Sequence, residues 1–347
     1  MKKEIAIYGA GLAGMVAGIN LARSGFKAVI YEREKGVGGA SDLHPSIHTT
    51  PLQPKQTWDY IGLDLSECFV PTNVYPDFWY NTKKLKLPPY VHNSYAYNVE
   101  RGARKSSLDM KLYETAKKEG VEFVFNSNLT ADQLRGAPAG SIIATGLYRE
   151  VYDLVGVKCG TTYGYMASGQ WDRKDVSGGL YMGDYSVDYA YSASLNGLMY
   201  VLLFSRTPLK EKKIEEFKVV LDKTVGLKFK NWHVFNGFFP RETKLFWEDK
   251  VLSGTLCGMI EPFWGYGIVG ALLSGKVASL VHTDRARAES DFKAFTRGFR
   301  GKLARKEKLD AMPFNKLILR LSILKARYDC WRNPALKKAV RDPVTWF

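Results

Sequence analysis

Residues 4–32 read EIAIYGAGLAGMVAGINLARSGFKAVIYE and contain a strand, a glycine turn, a helix, a second strand and a terminal acid in one unbroken unit. The apolar run at 5–8 predicts a buried parallel strand. In the turn, Gly9 allows a tight bend, Gly11 lets bare backbone approach a pyrophosphate, and Gly14 lets the next helix pack closely on the strand. The stretch therefore predicts a dinucleotide site at the start of the chain.

The ends of this unit indicate which nucleotide it takes. Leu12 and Ala13 open the helix, whose amides and positive dipole end point at the phosphates. Glu32, 18 residues after Gly14, ends the second strand, where its carboxylate can accept both hydroxyls of an adenosine ribose. Because a carboxylate repels a 2′-phosphate, the pattern favours FAD or NAD over NADP. The alternative is a glycine turn in a doubly wound sheet that binds nothing.

Composition sets the broad class. The chain has 347 residues, enough for two domains that share an interface, and is 46% hydrophobic and 24% charged, as globular proteins are. It has no uncharged apolar run of 18 residues, and its first four residues lead straight into a strand, so we expect no signal peptide and a cytoplasmic protein. The four cysteines lie far apart without a C-x-x-C pair, which argues against a metal site.

The charge is concentrated at the C-terminus. Residues 285–347 carry 17 Lys and Arg against six Asp and Glu, a net +11 of the total +15. Within them, 314–331 predicts a helix with one apolar face and basic residues on the rest. Such a helix could dock on the nucleotide domain, or lie on an anionic membrane surface as a peripheral contact. No nucleic-acid recognition module accompanies the charge, so we expect no nucleic acid.

Weaker patterns predict the remaining elements. A serine cap and a closing glycine favour a helix over 106–120, with a strand at 121–125. Residues 44–60 hold three prolines and are interpreted as an ordered loop that leads into a short helix. A further helix is expected over 210–224 and a strand over 232–239.

Two short strands, at 141–146 and 251–254, return the chain to the first sheet, while 151–205 alternates as an antiparallel sheet does. The nucleotide domain is therefore expected to be discontinuous. The predicted division is 1–68, 101–150 and 243–285 for the nucleotide domain, 69–100 and 151–242 for an antiparallel-sheet substrate domain, and 286–347 for a basic helical segment.

Four segments, in order, resemble the flavoprotein family of p-hydroxybenzoate hydroxylase and geranylgeranyl reductase: GAGLAG with Glu32, VERGARKSSLDMKL at 99–112, ATG at 144–146 and PFWGYGIVGALLSGKVAS at 262–279. The geranylgeranyl reductase branch looks closer. The resemblance covers most of residues 1–285. It implies an α/β fold with a Rossmann-like FAD-binding domain, FAD held without a covalent bond, and an inserted antiparallel sheet over the substrate.

The resemblance also implies roles for particular residues. Either Arg101 or Arg104 reaches the pyrophosphate or ribityl region of FAD, since a guanidinium fork suits a diphosphate; the alternative for each is a solvated arginine. Gly265 and Gly267, with Ile268 opening the next helix, would bring backbone amides to the flavin pyrimidine edge, where negative charge accumulates on reduction. The other expected FAD contacts are Arg33, Gly39, Ala40, Ala144, Thr145, Gly146 and Gly258.

Two features bear on alternatives. Residues 265–270 form a second G-x-G-x-x-G, which could be interpreted as an NAD site, but no β-α-β unit follows it. The family usually has an aspartate at the position of Thr255, a departure that prompts the alternative of a flavin-fold protein without turnover.

The catalytic candidates are His44, His48, Tyr191 and Trp264. The two histidines could form a metal pair, although no carboxylate or cysteine is spaced to complete it; one could serve as a proton source at a flavin cavity; or both could be satisfied loop residues. Tyr191 belongs to an aromatic-rich stretch that either roofs the flavin or simply packs a sheet. Trp264 and Glu261 lie beside the second glycine turn and are expected at the pocket.

The function implied by the resemblance is an FAD-dependent oxidoreductase that reduces carbon–carbon double bonds of an isoprenoid or other lipid-like substrate, with NAD(P)H or ferredoxin as electron donor. One alternative is a flavin monooxygenase, a hydroxylase or epoxidase that uses NAD(P)H and O₂. The other is the flavin-fold protein without turnover.

Overall fold

The computed structural model of the protein describes residues 2–39, 43–72, 77–85, 96–173, 176–186, 188–226 and 228–312, together with Leu321, Lys325, Tyr328 and Arg332. Three sheets and the helices packed on them make up the described chain. Ala40 and most of 314–331 lie outside the described residues.

The first sheet is the nucleotide-type sheet predicted from residues 4–32. Its strands, in spatial order, are β15 (Phe246–Trp247), β16 (Lys250–Leu252), β9 (Ile142–Ile143), β1 (Glu4–Tyr8), β2 (Lys27–Tyr31) and β8 (Glu122–Val124). All neighbours are parallel except β15 and β16. The returns of β9 and β16 to this sheet confirm the predicted strands at 141–146 and 251–254.

Three helices pack on this sheet: α1 (Leu12–Arg23), α3 (Leu108–Lys118) and α7 (Ile268–Leu280). Residues 12–21 of α1 are buried throughout. A Cβ added to Gly275 of α7 would overlap the carbonyl oxygen of Ala13, so α1 and α7 meet backbone to backbone. The Ser107 side chain accepts a hydrogen bond from the amide of Met110, which confirms the predicted serine cap of α3.

The second sheet forms the roof of a cavity described below. Its order is β14 (His233–Pro240), β10 (Cys159–Gln170), β13 (Leu198–Ser205), β12 (Ala190–Leu195), β11 (Gly178–Met182), β5 (Asp77–Tyr80) and β6 (Lys83–Lys84). It is antiparallel apart from the β5–β11 pair. Helix α6 (Glu211–Val225) packs on it through Phe217 and Leu221, against Tyr181 and Leu203. The predicted helix and strand at 210–224 and 232–239 are confirmed within one residue.

The third sheet joins β3 (Ser46–Pro51), β7 (Ala96–Arg101) and β4 (Phe69–Pro71). The buried side-chain amide of Asn98 donates to the carbonyls of Ser177 and Ser194, 2.9 Å each, and so ties this sheet to the second. Strand β3 replaces the first part of the loop predicted over 44–60, because pairing with β7 satisfies the backbone of a segment that its prolines made look irregular. Among the described residues of 69–100, those that belong to the second sheet are β5 and β6.

The remaining helices are α2 (Pro54–Ile61), α4 (Ala131–Arg135), α5 (Arg149–Val155), α8 (Arg285–Thr296) and α9 (Phe299–Ala311). Helix α5 occupies the start of the stretch predicted as antiparallel sheet; an Arg149–Asp153 ion pair one turn apart and a left-handed Gly156 define it. Among the described residues, no helix is both long enough and apolar enough to cross a membrane.

The C-terminal segment docks on the protein as far as Ala311. Ala288 of α8 and both Phe299 and Leu303 of α9 are buried. Beyond α9, two residues of the predicted apolar face of 314–331 are described, Leu321 and Tyr328, and they are 54% and 53% exposed.

Candidate active site

Two glycines of the first turn are required by close packing. Gly9 has a φ of 111°, and a Cβ there would overlap the carbonyl oxygen of Ala144 on the neighbouring crossover. A Cβ on Gly14 would overlap the carbonyl oxygen of Gly9 itself. The turn, the first residues of α1 and the 144–146 turn are therefore in backbone contact.

Other groups at the same edge of the sheet face open space. A Cβ added to Gly11 or to Gly146 would meet nothing within 4 Å. Gly11 is the N-cap residue of helix α1, which has no side-chain cap and no acid in its first turn. The hydroxyl of Thr145 is buried and has no hydrogen-bond partner among the described residues. An uncapped helix start, free space and an orphaned hydroxyl fit a phosphate-bearing ligand.

Glu32 lies at this edge, at the end of β2. Its Oε2 accepts the amide of Ala10 at 2.7 Å, and its Oε1 accepts the amide of Glu34 at 2.9 Å. These bonds fix the carboxylate beside the turn, and each oxygen keeps capacity for a ligand hydroxyl. Next to it, the guanidinium of Arg33 stacks 3.7 Å from the ring of Tyr148 and donates to its hydroxyl.

The two candidate arginines have different surroundings. Arg101 forms a two-pronged ion pair with Asp109, at 2.7 and 2.9 Å, and is close enough to His48 to lower that residue's pKa. Burial raises the pKa of Asp109, but the charge and hydrogen bonds of Arg101 outweigh it, and the pKa lies below its ordinary value. Arg104 instead donates to the carbonyl of Asn196, at the β12–β13 hairpin.

The loop after β2 packs against the end of β7. A Cβ on Gly38 would lie 2.5 Å from the carbonyl carbon of Gly102, and one on Gly39 would lie 2.9 Å from the ring of His44. These glycines thus let the loop and His44 approach Gly102. Gly39 has a left-handed φ of 72°.

The second glycine turn precedes α7. The carboxylate of Glu261 accepts the amides of Phe263 at 3.0 Å and Trp264 at 2.6 Å, which fixes the turn. Gly267 is the N-cap residue of helix α7, which, like α1 after Gly11, has no side-chain cap and no acid in its first turn. Gly258 has a different reason to be glycine: a Cβ there would lie 2.5 Å from the carbonyl oxygen of Glu242.

A cavity of about 230 Å³ lies between this turn and the second sheet. Three of the four predicted catalytic residues line it, as do the predicted pyrimidine-edge residues; together these are His48, Tyr191, Trp264, Gly265, Gly267 and Ile268. Most of the remaining wall is apolar: Leu147, Leu180, Leu202, Phe204, Phe235, Phe238, Phe239 and Ile260. Such a wall suits an apolar substrate, and His48 and Tyr191 bring polar groups to it.

His44, the fourth candidate, connects to the cavity through hydrogen bonds. Its Nδ1 lies 2.8 Å from the hydroxyl oxygen of Ser46, which lies 2.9 Å from Nε2 of His48. Nδ1 of His48 lies 2.9 Å from the hydroxyl oxygen of Tyr191. Ser46 was missed by sequence reasoning, although its spacing of two residues from each histidine, the period of one strand face, was a usable signal.

The ionisation of this chain of groups follows from burial. Burial, with a smaller contribution from the charge of Arg101, lowers the pKa of His48 to about 3, so the imidazole is neutral at pH 7. Burial raises the pKa of Tyr191 well above its ordinary value, so the phenol keeps its proton. A neutral imidazole has one donor and one acceptor nitrogen and can pass a proton between Ser46 and Tyr191.

Both histidines are thus engaged with Ser46. Among the described residues, no group of three or more His, Cys, Asp or Glu could hold a metal ion.

Sequence comparisons identify the first unit only. A family model of the NAD(P)-binding Rossmann-like domain matches residues 7–49. No curated protein sequence matches significantly.

Structural comparisons cover the whole chain. It is similar to a geranylgeranyl bacteriochlorophyll reductase-like protein from Thermoplasma acidophilum, with a TM-score of 0.67 and 15% identity over 99% of this chain and 100% of that one. The chain shares this fold. The same fold is found in p-nitrophenol 4-monooxygenase from Pseudomonas putida, with a TM-score of 0.65 and 12% identity over 98% of this chain and 97% of that one. The fold predicted from the sequence is therefore confirmed.

A third structure with the shared fold is that of CtdE in complex with FAD, with a TM-score of 0.58 and 14% identity over 98% of this chain and 100% of that one. The TM-scores establish the shared fold. At identities this low, the cofactor and the substrate have to be inferred from the site itself.

Proposed function

We propose that the protein is an FAD-dependent oxidoreductase that binds FAD without a covalent bond. The observation that carries this is the pair of helix starts without side-chain caps, at Gly11 and Gly267. The two helices contact each other backbone to backbone at Gly275. The first helix start, with Glu32 and the open space at Gly146, suits a nucleotide diphosphate. The second helix start adjoins the cavity and suits the flavin ring.

For the middle of the cofactor we retain Arg101 and not Arg104. Arg101 ends β7 close to His48, whereas Arg104 is turned to the β12–β13 hairpin. We keep the proposed division into 1–68, 101–150 and 243–285 for FAD, 69–100 and 151–242 for substrate, and 286–347 as the C-terminal segment. The proposal for 69–100 rests on β5 and β6, which join the roof sheet.

We further propose that the reaction is reduction of a carbon–carbon double bond in an isoprenoid or other lipid-like substrate. When bound and reduced, FAD supplies a hydride to one carbon. The aromatic and aliphatic wall of the cavity holds an apolar chain and excludes water. Tyr191 donates the proton that the other carbon needs. His48 then gives a proton to Tyr191 directly, and takes one in turn from His44 by way of Ser46.

The runner-up is a flavin monooxygenase, which the similarity to p-nitrophenol 4-monooxygenase supports. It would consume O₂ and NAD(P)H and insert one oxygen atom into the substrate. The same hydrogen-bond chain would then serve to accept a proton from a substrate hydroxyl.

Electron donor and location are proposals of the same kind. NAD(P)H or ferredoxin is the proposed donor. A cytoplasmic location with peripheral membrane contact is proposed from the net +11 of 285–347 and from the exposure of Leu321 and Tyr328.

The visible spectrum of the purified protein tests the cofactor. A flavin band that stays with the protein on gel filtration supports the proposal; a colourless protein that takes up no added FAD contradicts it. Anaerobic incubation of the dithionite-reduced protein with unsaturated lipids then separates the reactions. Saturated product supports the reductase, and O₂ consumption with NAD(P)H supports the monooxygenase. Bound flavin inert in both assays identifies a flavin-fold protein without turnover.

A further inference from the structure

Helix α9 turns one defined face toward the cavity. Four of its residues lie on that face, at the spacing i, i+3, i+4 and i+7: Phe299, Lys302, Leu303 and Lys306. Phe299 and Leu303 are buried in a cluster with Phe239 and Ile260, and both of these line the cavity. The apolar half of the face therefore forms the outer layer of the cavity wall.

The lysine nearer the end of α9 is buried and paired. Lys306 is 4% exposed, and its Nζ lies 2.6 Å from Oδ1 of Asp188 and in contact with Asp310. Asp188 is itself buried, and its Oδ2 accepts the amide of Arg206 at 2.7 Å. The guanidinium of Arg206 donates to the carbonyl of Pro262 at 2.7 Å. Lys306 of α9 is thus connected to the second glycine turn through Asp188 and Arg206.

The other lysine reaches the same turn directly. Nζ of Lys302 lies 4.0 Å from Oε1 of Glu261, whose other oxygen accepts the amides of Phe263 and Trp264. Tyr189 donates to the carbonyl of Trp264 from the roof sheet. Lys302 therefore lies beside Glu261, the carboxylate that holds the turn. Lys306 pairs with Asp188, the carboxylate that holds Arg206, and Arg206 donates to the turn.

We propose that Lys302 and Lys306 are positioning residues for the turn of residues 261–267, through which α9 holds that turn against the flavin ring. This rests on the proposed FAD site. Backbone amides stabilise a reduced flavin only if they are fixed before it forms, because reorganising them would offset the gain. Nothing in the sequence of α9 shows this role, since a basic helix is normally a solvated one.

The test compares Lys302→Met and Lys306→Met with Lys308→Met, which removes an exposed charge from the same helix. Two quantities are measured: the dissociation constant of FAD, from quenching of flavin fluorescence, and the midpoint potential of the bound flavin. We expect Lys306→Met to bind FAD at least fivefold more weakly and at a lower midpoint potential. Lys302→Met should show the same changes to a smaller degree, and Lys308→Met should match the wild type.

A further variant covers the case in which Lys306→Met does not fold, since that change leaves Asp188 buried without its partner lysine. Asp188→Asn/Lys306→Met removes both charges and should unfold cooperatively while keeping the lowered potential. A purely structural role would alter thermal unfolding and leave the potential unchanged. Wild-type affinity and potential in both this double variant and Lys302→Met would overturn the inference alone, whereas a wild-type protein that binds no FAD would overturn the proposed function as well.

Discussion

Nδ1 of His48 and the hydroxyl oxygen of Tyr191 lie 2.9 Å apart across the boundary between two sheets, His48 on β3 and Tyr191 on β12. The pair brings a polar, protonated group to a cavity whose wall is mostly apolar. Through this pair the small third sheet takes a direct part in the proposed chemistry.

Replacing Tyr191 should separate proton transfer from binding. Tyr191→Phe keeps the ring in the cavity wall and removes only the hydroxyl, so we expect kcat to fall about 10²–10⁴-fold with little change in KM. Tyr185→Phe, at another buried tyrosine outside the cavity, is the matched control and should retain full activity. Steady-state kinetics on an accepted substrate measure both, and undiminished kcat in Tyr191→Phe would exclude the phenol as the donor.

Ser46→Ala interrupts the chain one step further from the cavity. Because the serine joins the two histidines and does not line the cavity, we expect kcat to fall about 10-fold, with substrate and FAD affinities unchanged. The solvent isotope effect on kcat should rise if refilling Tyr191 with a proton becomes rate-limiting. Equal kcat and isotope effect in variant and wild type would show that protons reach Tyr191 by another route.

Gly11 and Gly14 offer a test of the phosphate site by a single methyl group. A Cβ at Gly11 enters open space, and its φ of −76° suits alanine, so Gly11→Ala should cost under about 1 kcal/mol of stability yet block the ligand. FAD affinity should fall at least about tenfold. Gly14→Ala overlaps backbone and should instead destabilise the unliganded protein by about 1–3 kcal/mol. Urea unfolding and FAD titration distinguish the two variants. Normal FAD binding by Gly11→Ala would contradict the proposed position of the phosphates beside Gly11.

Glu32→Gln tests the ribose contact. The amide retains the shape of the side chain but loses the charge and one acceptor oxygen, so FAD should bind about 10–100-fold more weakly. Glu34→Gln, at the neighbouring acid that pairs with Arg33, is the control and should bind FAD normally. Isothermal titration gives the dissociation constant of FAD for both variants. Equal losses of affinity would mean that the lost negative charge, and not a ribose contact of Glu32, causes the weaker binding.

The depressed pKa of His48 predicts how stability depends on pH. In the folded protein the ring stays neutral down to about pH 3, whereas in the unfolded chain it binds a proton below its ordinary pKa of 6.5. The unfolded state therefore takes up more protons, and stability is full above pH 6.5 and falls by up to about 1.4 kcal/mol per pH unit below it. His48 is partly exposed to the cavity that it lines, and water there can stabilise the protonated ring. The slope is therefore an upper value.

His48→Asn removes the titrating group and should flatten the decline between pH 6.5 and pH 5. Urea unfolding at several pH values measures the slope for both proteins, and the difference between them isolates His48 from other groups. Identical slopes would mean that the ring is accessible to protons in the folded state.

The first sheet and its glycine turn could be predicted because local sequence specifies them. Gly9, Gly14 and the serine cap of α3 satisfy requirements set within a few residues or by a neighbouring turn. Strand β3 could not be predicted in the same way, because its backbone is satisfied by β7, some 50 residues away. Prolines on either side gave it the appearance of a loop.

The candidate site shows the same division. The sequence named His48, Tyr191 and Trp264 as candidates for a flavin cavity but left alternatives open for the histidine and the tyrosine, since the three residues come from segments that only the tertiary fold brings together. The choice between Arg101 and Arg104 depended on the closeness of Arg101 to His48 and on the bond from Arg104 to Asn196, and the role of Lys306 depended on its contact with Asp188. Contacts between residues so far apart in the chain leave no periodic trace in the sequence, whereas the two-residue spacing of Ser46 from each histidine did leave one.

The backbone contact between Ala13 and Gly275 has one more consequence. It fixes the start of α1 against the middle of α7, so the distance between Gly11 and Gly267, and with it the span open to an elongated ligand, is set by two rigid helices. Loops around the cleft can then lengthen, shorten or exchange side chains, and so change what is accepted beneath the roof, while that span stays constant.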